Sequence, residues 1–365
     1  AADGLYGAAL IVGALEMPEV LRRENWTETK YLESRLRTAS RLSGYLVMAT
    51  LRSSAAALFE HVTGTVATLR QFDLTDDAKR HATGNILEKL RNISGHPPPN
   101  QLGVRLPEWL ADPDAHQAAC SDDIRTYELI LQLAGQMSDR REIAKAGLLR
   151  KLVRRHQMIV AFDSRPITLS LLKKHLATLD ADIDVILATG ERKANRRAVE
   201  ERLRPDAERK RLIALCSDAM SEGVNLQGAA AVVHLDLPSV VRIAEQRVGR
   251  VDRMDSPNKT IEAWWPQDAP ELALRSDERF IERYETVENL LGSNLPLPEG
   301  LGSSSSASSE PVSADEAIKE FEEAQAAAVD DVPETLSGEE AAACYVDLSP
   351  ARHALCHVGS AEPPL

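Results

Sequence analysis

From Met158 onward the sequence is punctuated by short apolar runs, MIVAF, DVILAT, LIALC, AAVVHLDL and IEAWW, separated by polar stretches of helix length. An unbroken apolar run suits a strand buried on both faces, whereas a half-solvated strand alternates. The intervening segments are long enough for crossover helices, so the pattern predicts a parallel α/β sheet with flanking helices. Sheets of this kind bind ligands beyond the carboxyl ends of their strands. The positions following those ends are residues 163–165, 189–190, 217–225 and Pro238, and the chemistry is expected there.

The region before the sheet has a different period. Val47, Leu51, Ala55, Leu58, Val62, Val66 and Leu69 recur every three or four residues, which predicts a helix with one apolar stripe. Residues 1–92 as a whole read as helical. The prolines of ISGHPPPNQLGVRLPEW mark a loop, after which helical character is expected from about Asp122 to Arg155. Another helix is expected around residues 275–291. Beyond it lies LPLPEGLGSSSSASSEPVSADE, whose Pro, Gly and Ser content is that of a linker. The expected organisation is a helical region over residues 1–137, an α/β lobe over 138–295, and a low-complexity linker with an acidic, disordered tail over 296–365.

The 365 residues suffice for about two domains. No apolar run reaches the roughly 20 residues of a membrane span, and AALIVGAL lacks the basic flank of a signal peptide. A cytoplasmic location is expected. The four cysteines form no CxxC pair, which fits a reducing compartment. Cys344, His353, Cys356 and His357 match no zinc spacing, so no metal site is expected from this chain's own residues. The net charge of −13 conceals a segregation. Residues 138–258 carry 23 basic against 17 acidic side chains, a net +6, while residues 299–365 carry 2 against 14, a net −12. A basic lobe can hold phosphates, and an acidic tail solvates or competes for the same surface.

The segment AEQRVGRVDRMDS sets Arg247, Arg250 and Arg253 at intervals of three around Gly249. On a helix over about 242–254 they share one broad face and repel one another unless an anion lies opposite. The planar guanidinium fork suits phosphate oxygens. The alternative is a solvated face paired with Glu245, Asp252 and Asp255.

In order, MIVAFDSR, ATGERKANRR, SDAMSEGVNLQ and EQRVGRVDR resemble motifs IV, IVa, V and VI of superfamily 2 helicases. The pattern is most similar to Swi/Snf-type ATP-dependent translocases, in particular the bacterial RNA-polymerase-recycling branch, over about residues 144–258. LRSSAAALFEHV resembles the helical protrusion between that branch's motor lobes. The resemblance implies a second, C-terminal RecA-like lobe. In it Arg250 and Arg253 are the arginine fingers, with Gln246 and Arg247 in supporting positions. Gly223 and Asn225 lie near the nucleotide ribose, Ser217 contacts a nucleic-acid phosphate, and Ser164, Arg165 and Gly190 approach the tracked strand. Each has a plainer alternative: Gly190 and Gly223 as turn glycines, Ser164 and Ser217 as helix caps, and Arg192, Lys193, Arg196 and Arg197 as a solvated helix face. His234 reads as a buried strand histidine.

The sequence departs from the family by PSVV before motif VI, where a Trp-Asn-Pro turn is usual, and more largely by an absence. It contains no Gly-Lys dipeptide for a P-loop and no DExH/D box ahead of these motifs. The resemblance therefore implies ATP and Mg²⁺ held mainly by an N-terminal RecA-like lobe absent from this chain, and no hydrolysis by the chain alone. Duplex DNA is the implied partner, with RNA polymerase or other complex subunits as further ones. The alternatives are a non-catalytic nucleic-acid or protein-binding module and the lobe of an RNA helicase.

Overall fold

The computed structural model describes residues 4–75, 82–189, 193–221, 224–238, 240–253, 255–266, 274, 277 and 279–284. They fall into two compact units, one drawn from Ala1–Gly44 and Lys89–Thr126, the other from Tyr45–Glu88 and Tyr127–Ser306. Gly190, Gly223 and the expected tail lie outside the described residues. So does most of the helix expected at 275–291, of which 277 and 279–284 are described and helical.

The helices are α1 (Glu19–Arg23), α2 (Glu28–Ser53), α3 (Ala55–Thr63), α4 (Thr65–Gln71), α5 (Ile86–Ile93), α6 (Glu108–Ala111), α7 (Pro113–Ala134), α8 (Arg140–His156), α9 (Pro166–Leu179), α10 (Lys193–Arg202) and α11 (Val241–Gly249). The strands are β1 (Met158–Phe162), β2 (Asp184–Ala188), β3 (Leu212–Cys216), β4 (Ala231–His234) and β5 (Glu262–Trp264).

In the first unit the opening residues are not the helix expected. Ala8–Leu10 form a single 3-10 turn, and Leu15 instead bridges in parallel to Asn100, with Leu15 N–H donating to Pro99 O at 2.8 Å. Gly7 explains part of the departure. It has φ 75°, and a Cβ there would stand 2.5 Å from the Ala39 backbone, so the chain turns where a side chain is excluded. Asp123 then accepts the N–H groups of Tyr6, Gly7 and Ala8 at 2.7–3.1 Å. Ile11, Leu15, Met17, Leu32, Leu102 and Leu110 form the core beneath. The proline-rich stretch contains α6 at its end, and the helix expected from Asp122 begins at Pro113.

In the second unit the single stripe of residues 47–69 is cut twice. Ser54 is extended and caps α3, its Oγ accepting Ala57 N–H at 3.0 Å, and Gly64 (φ 86°) separates α3 from α4. The break resets the helical phase. Leu58 and Val62 are fully buried, whereas Val66 is 55% exposed.

All the strands run parallel in the order β2-β3-β1-β4-β5. Alternation along each strand feeds two cores. Ile159, Ala161, Ile213 and Leu215 pack with Leu149 and Val153 of α8 and Leu172 of α9, while Met158, Val160, Phe162 and Ala214 pack with Val199 of α10 and with Val251. Both faces of β1 and β3 are thus buried, which is why their sequences show no polar alternation.

Candidate functional site

The residues after β1, β3 and β4 meet at the carboxyl edge of the sheet around one side chain. Arg247 of α11 is 0% exposed. Its Nε donates to Asp218 Oδ1 at 2.7 Å and its Nη2 to Asp236 Oδ1 at 3.1 Å. The Phe162 ring lies 5.6 Å from the guanidinium carbon. Burial works against the Arg247 charge, but Asp236 and Asp218 outweigh it and hold its pKa above the usual arginine value. Burial likewise pushes Asp236 up, but Arg247, Ser164 and Lys145 prevail and hold its carboxyl below the ordinary range.

The helix expected over 242–254 stops at Gly249, with Arg250 as its C-cap, where glycine is the weakest helix former after proline. The three arginines therefore do not share a face. Arg247 points inward. Arg250, half-buried, donates from Nε to the Ser221 carbonyl at 2.5 Å. Arg253 donates from Nη1 to Asn225 Oδ1 and from Nε to Gly249 O at 3.2 Å. Its Nη2 has no hydrogen bond among the described residues. Of the acids nearby, Asp255 accepts Gln227 Nε2. Arg250, Arg253 and Asn225 instead flank the 217–225 turn, with Gln246 half-buried on α11.

Ser164 is exposed, and its backbone N–H donates to Asp236 Oδ2 at 2.9 Å. Arg165 is the N-cap of α9, its N–H held by Asp163 Oδ1 at 2.8 Å. Ser217 is buried, and its Oγ donates to Thr189 O at 2.7 Å. It ties the ends of β2 and β3 together rather than capping the 3-10 turn that follows. Of the basic stretch after β2, Arg197 is exposed on α10 and Arg196 half-buried. His234 is a buried strand histidine, stacked on Trp265 at 4.0 Å. Burial, with Arg247 nearby, lowers its pKa to about 3.

Asp236 bridges Ser164 to Arg247, yet sequence reasoning passed over it. The signal available was an Asp immediately after the strand in HLDLP. Asp163 is a third acid at this edge, 0% exposed. Its Oδ1 accepts Ser53 Oγ at 2.8 Å, while Oδ2 has no partner. Burial and the Asp236 charge push its pKa up to about 7 against the pull of Lys145, the Arg165 N–H and Ser53. Ser53 and Ser54 each share a hydrogen bond with Thr168 Oγ1, at 2.6 and 2.7 Å. Lys145 donates to Ser53 O and Arg141 to Leu51 O, satisfying carbonyls at the end of α2 that have no helical partner.

Residues 144–255 match the helicase conserved C-terminal domain. The match spans the sheet from α8 through β4 and α11, and the parallel five-stranded sheet with flanking helices is a RecA-like fold. Among solved structures the chain is similar to phage T4 UvsW (19% identity, 40% of this chain and 33% of that one, TM-score 0.32). It is also similar to the C-terminal part of the Fun30 ATPase domain (15%, 56% and 64%, 0.31) and to the Pyrococcus furiosus Hef helicase domain (15%, 73% and 46%, 0.33). The chain spans a third of the UvsW chain and less than two thirds of each of the other two. No curated protein matches it.

The carboxylates at this edge do not fit Mg²⁺. Asp218 and Asp236 are taken by Arg247, and no cluster of His, Cys, Asp or Glu among the described residues is arranged to hold a metal. Among the described residues, no helix is long and apolar enough to cross a membrane.

Proposed function

We propose that the chain is the second motor lobe of a Swi/Snf-type DNA-dependent ATPase, presenting Arg250 and Arg253 to the γ-phosphate of an ATP held by a companion lobe. The observation that carries the reading is the placement of Arg253 against Asn225 with Arg250 on the same turn, beside a fully committed Arg247. Two half-exposed guanidiniums are thereby fixed at the carboxyl edge of the sheet. Such donors stabilise charge developing on a transferring phosphoryl group without reorganising when it forms.

The companion lobe supplies the P-loop, for which this chain has no Gly-Lys dipeptide, and the carboxylates that hold Mg²⁺. In this reading Ser164, Arg165, Gly190 and Ser217 face the nucleic acid, Gly223 and Asn225 the ribose, and closure of the lobes on ATP steps the motor along duplex DNA. Residues 1–137 form the protrusion between the lobes.

Hydrolysis by the 365-residue chain, alone and joined to a first lobe bearing Gly-Lys-Ser/Thr and DExH, tests this. The expected result is no hydrolysis by the chain alone and duplex-stimulated hydrolysis by the pair. Robust hydrolysis by the chain alone contradicts the division of labour. A joined motor stimulated by single-stranded RNA and not by duplex DNA assigns the lobe to an RNA helicase, and one that never hydrolyses ATP assigns it to a binding module.

A further inference from the structure

The sheet has a second polar edge. Gln157, Ala230 and Thr260 stand just before β1, β4 and β5, and because all strands are parallel they lie opposite the edge that carries Asp163, Ser217 and Asp236. A concavity of about 410 Å³ opens there, with Arg154, Arg155, His156, Arg209 and Lys259 in its walls and no Asp or Glu among them. Arg154, Arg155 and His156 occupy the last turn of α8, where cations offset the exposed carbonyls of the helix end. They also have acidic partners, Arg154 in Asp180, and Arg155 and His156 in Glu262 at 2.7 and 3.0 Å.

That explanation does not extend to Arg209 and Lys259. They come from the segments leading into β3 and β5, away from any helix end. Among the described residues Arg209 donates only to the neutral Asn258 side chain, at 2.9 Å, and Lys259 has no partner. Three separate stretches of chain thus converge cations on one hollow, and two of those cations have no carboxylate. The volume lies within the roughly 300–1,000 Å³ of small-ligand sites.

We propose that this hollow is an anion site for a compact phosphate-bearing ligand, either a free diphosphate or a phosphorylated side chain, separate from the carboxyl edge. Arg209 supplies the planar fork and Lys259 the point charge for the phosphate oxygens. Asn258 holds Arg209 in place.

Titration of the full chain with inorganic pyrophosphate at low salt, followed by backbone amide shifts, tests it. Saturable shifts at residues 154–157 and 258–260 are expected, weakened roughly tenfold or more in Arg209→Gln/Lys259→Gln and by added salt. Both side chains are exposed, so the double variant keeps its fold. Arg253→Ala is expected to leave these shifts in place, which separates this site from the carboxyl edge. A phosphoserine peptide binding more tightly than pyrophosphate at the same amides identifies a phosphorylated chain as the ligand, and the reverse order a free diphosphate. Absence of saturable shifts, equal binding by the double variant, or loss only in Arg253→Ala overturns the proposal.

Discussion

Asp236 holds Arg247 with one carboxylate oxygen, at 3.1 Å, and the Ser164 backbone N–H with the other, at 2.9 Å. A single acid after β4 thereby joins the segment after β1 to α11. The pair is buried, and its charges are compensated by each other and by Asp218, Asp163, Lys145 and their hydrogen bonds.

Removing one member of such a pair leaves the other charged and buried. Arg247→Ala is expected to destabilise the lobe by about 3–5 kcal/mol, read as a lower midpoint in urea. Arg250→Ala and Arg253→Ala, whose side chains are half-exposed, are expected to cost about 1 kcal/mol or less. Equal losses for all three contradict the division between one structural and two outward-facing arginines.

Asp163 gives the lobe a pH dependence. Its folded pKa, about 7, lies above the ordinary value, so between about pH 4 and 7 the folded chain keeps a proton that the unfolded chain releases. Stability from this group therefore falls as pH rises through that window, by at most roughly 1.4 kcal/mol per pH unit. Asp163→Asn cannot lose the proton. Its stability relative to the parent protein is expected to rise from pH 4.5 to pH 8 in chemical denaturation. His234 is common to both proteins and cancels. A constant difference, or one of opposite sign, contradicts the assignment.

The sheet was legible because each of its strands is a largely apolar run bounded by polar residues; β1, β3 and β4 are buried along their whole length, whereas β2 and β5, at the edges, are only partly so. Arg253 and Asn225, which the sequence singles out in separate motifs, meet through a hydrogen bond that neither motif announces. What the sequence concealed depends on distant partners. Nothing local marks Ser54 as a helix break, since its extended conformation goes with a hydroxyl bonded to Thr168, 114 residues away. The inward turn of Arg247 is set by Asp218 and Asp236, so a helical wheel of 242–254 spreads three arginines over one face that the fold separates. The opening residues read as helical from apolar content alone, but Gly7 packs against Ala39 where no side chain fits.

The break at Ser54 is also a measurable contributor. Its Oγ caps α3 and shares a hydrogen bond with Thr168. Ser54→Ala is expected to cost about 1–3 kcal/mol, the sum of a lost cap and a lost buried hydrogen bond to Thr168, which keeps its bond to Ser53. Pairing it with Thr168→Val is expected to cost less than the two single changes together, since both remove the same Ser54–Thr168 bond. Strict additivity in the double-mutant cycle contradicts the shared bond.

The most direct test of the motor assignment is the turnover rate of Arg250→Ala and Arg253→Ala in the two-lobe motor. Arginines that act on the transferring phosphoryl group lower kcat by roughly 10³-fold or more while leaving duplex affinity nearly unchanged, and Lys restores little because it lacks the fork. That is the predicted result. Normal hydrolysis by both variants, with only a loss of thermal stability, would contradict it and leave these arginines as structural elements of the turn after α11.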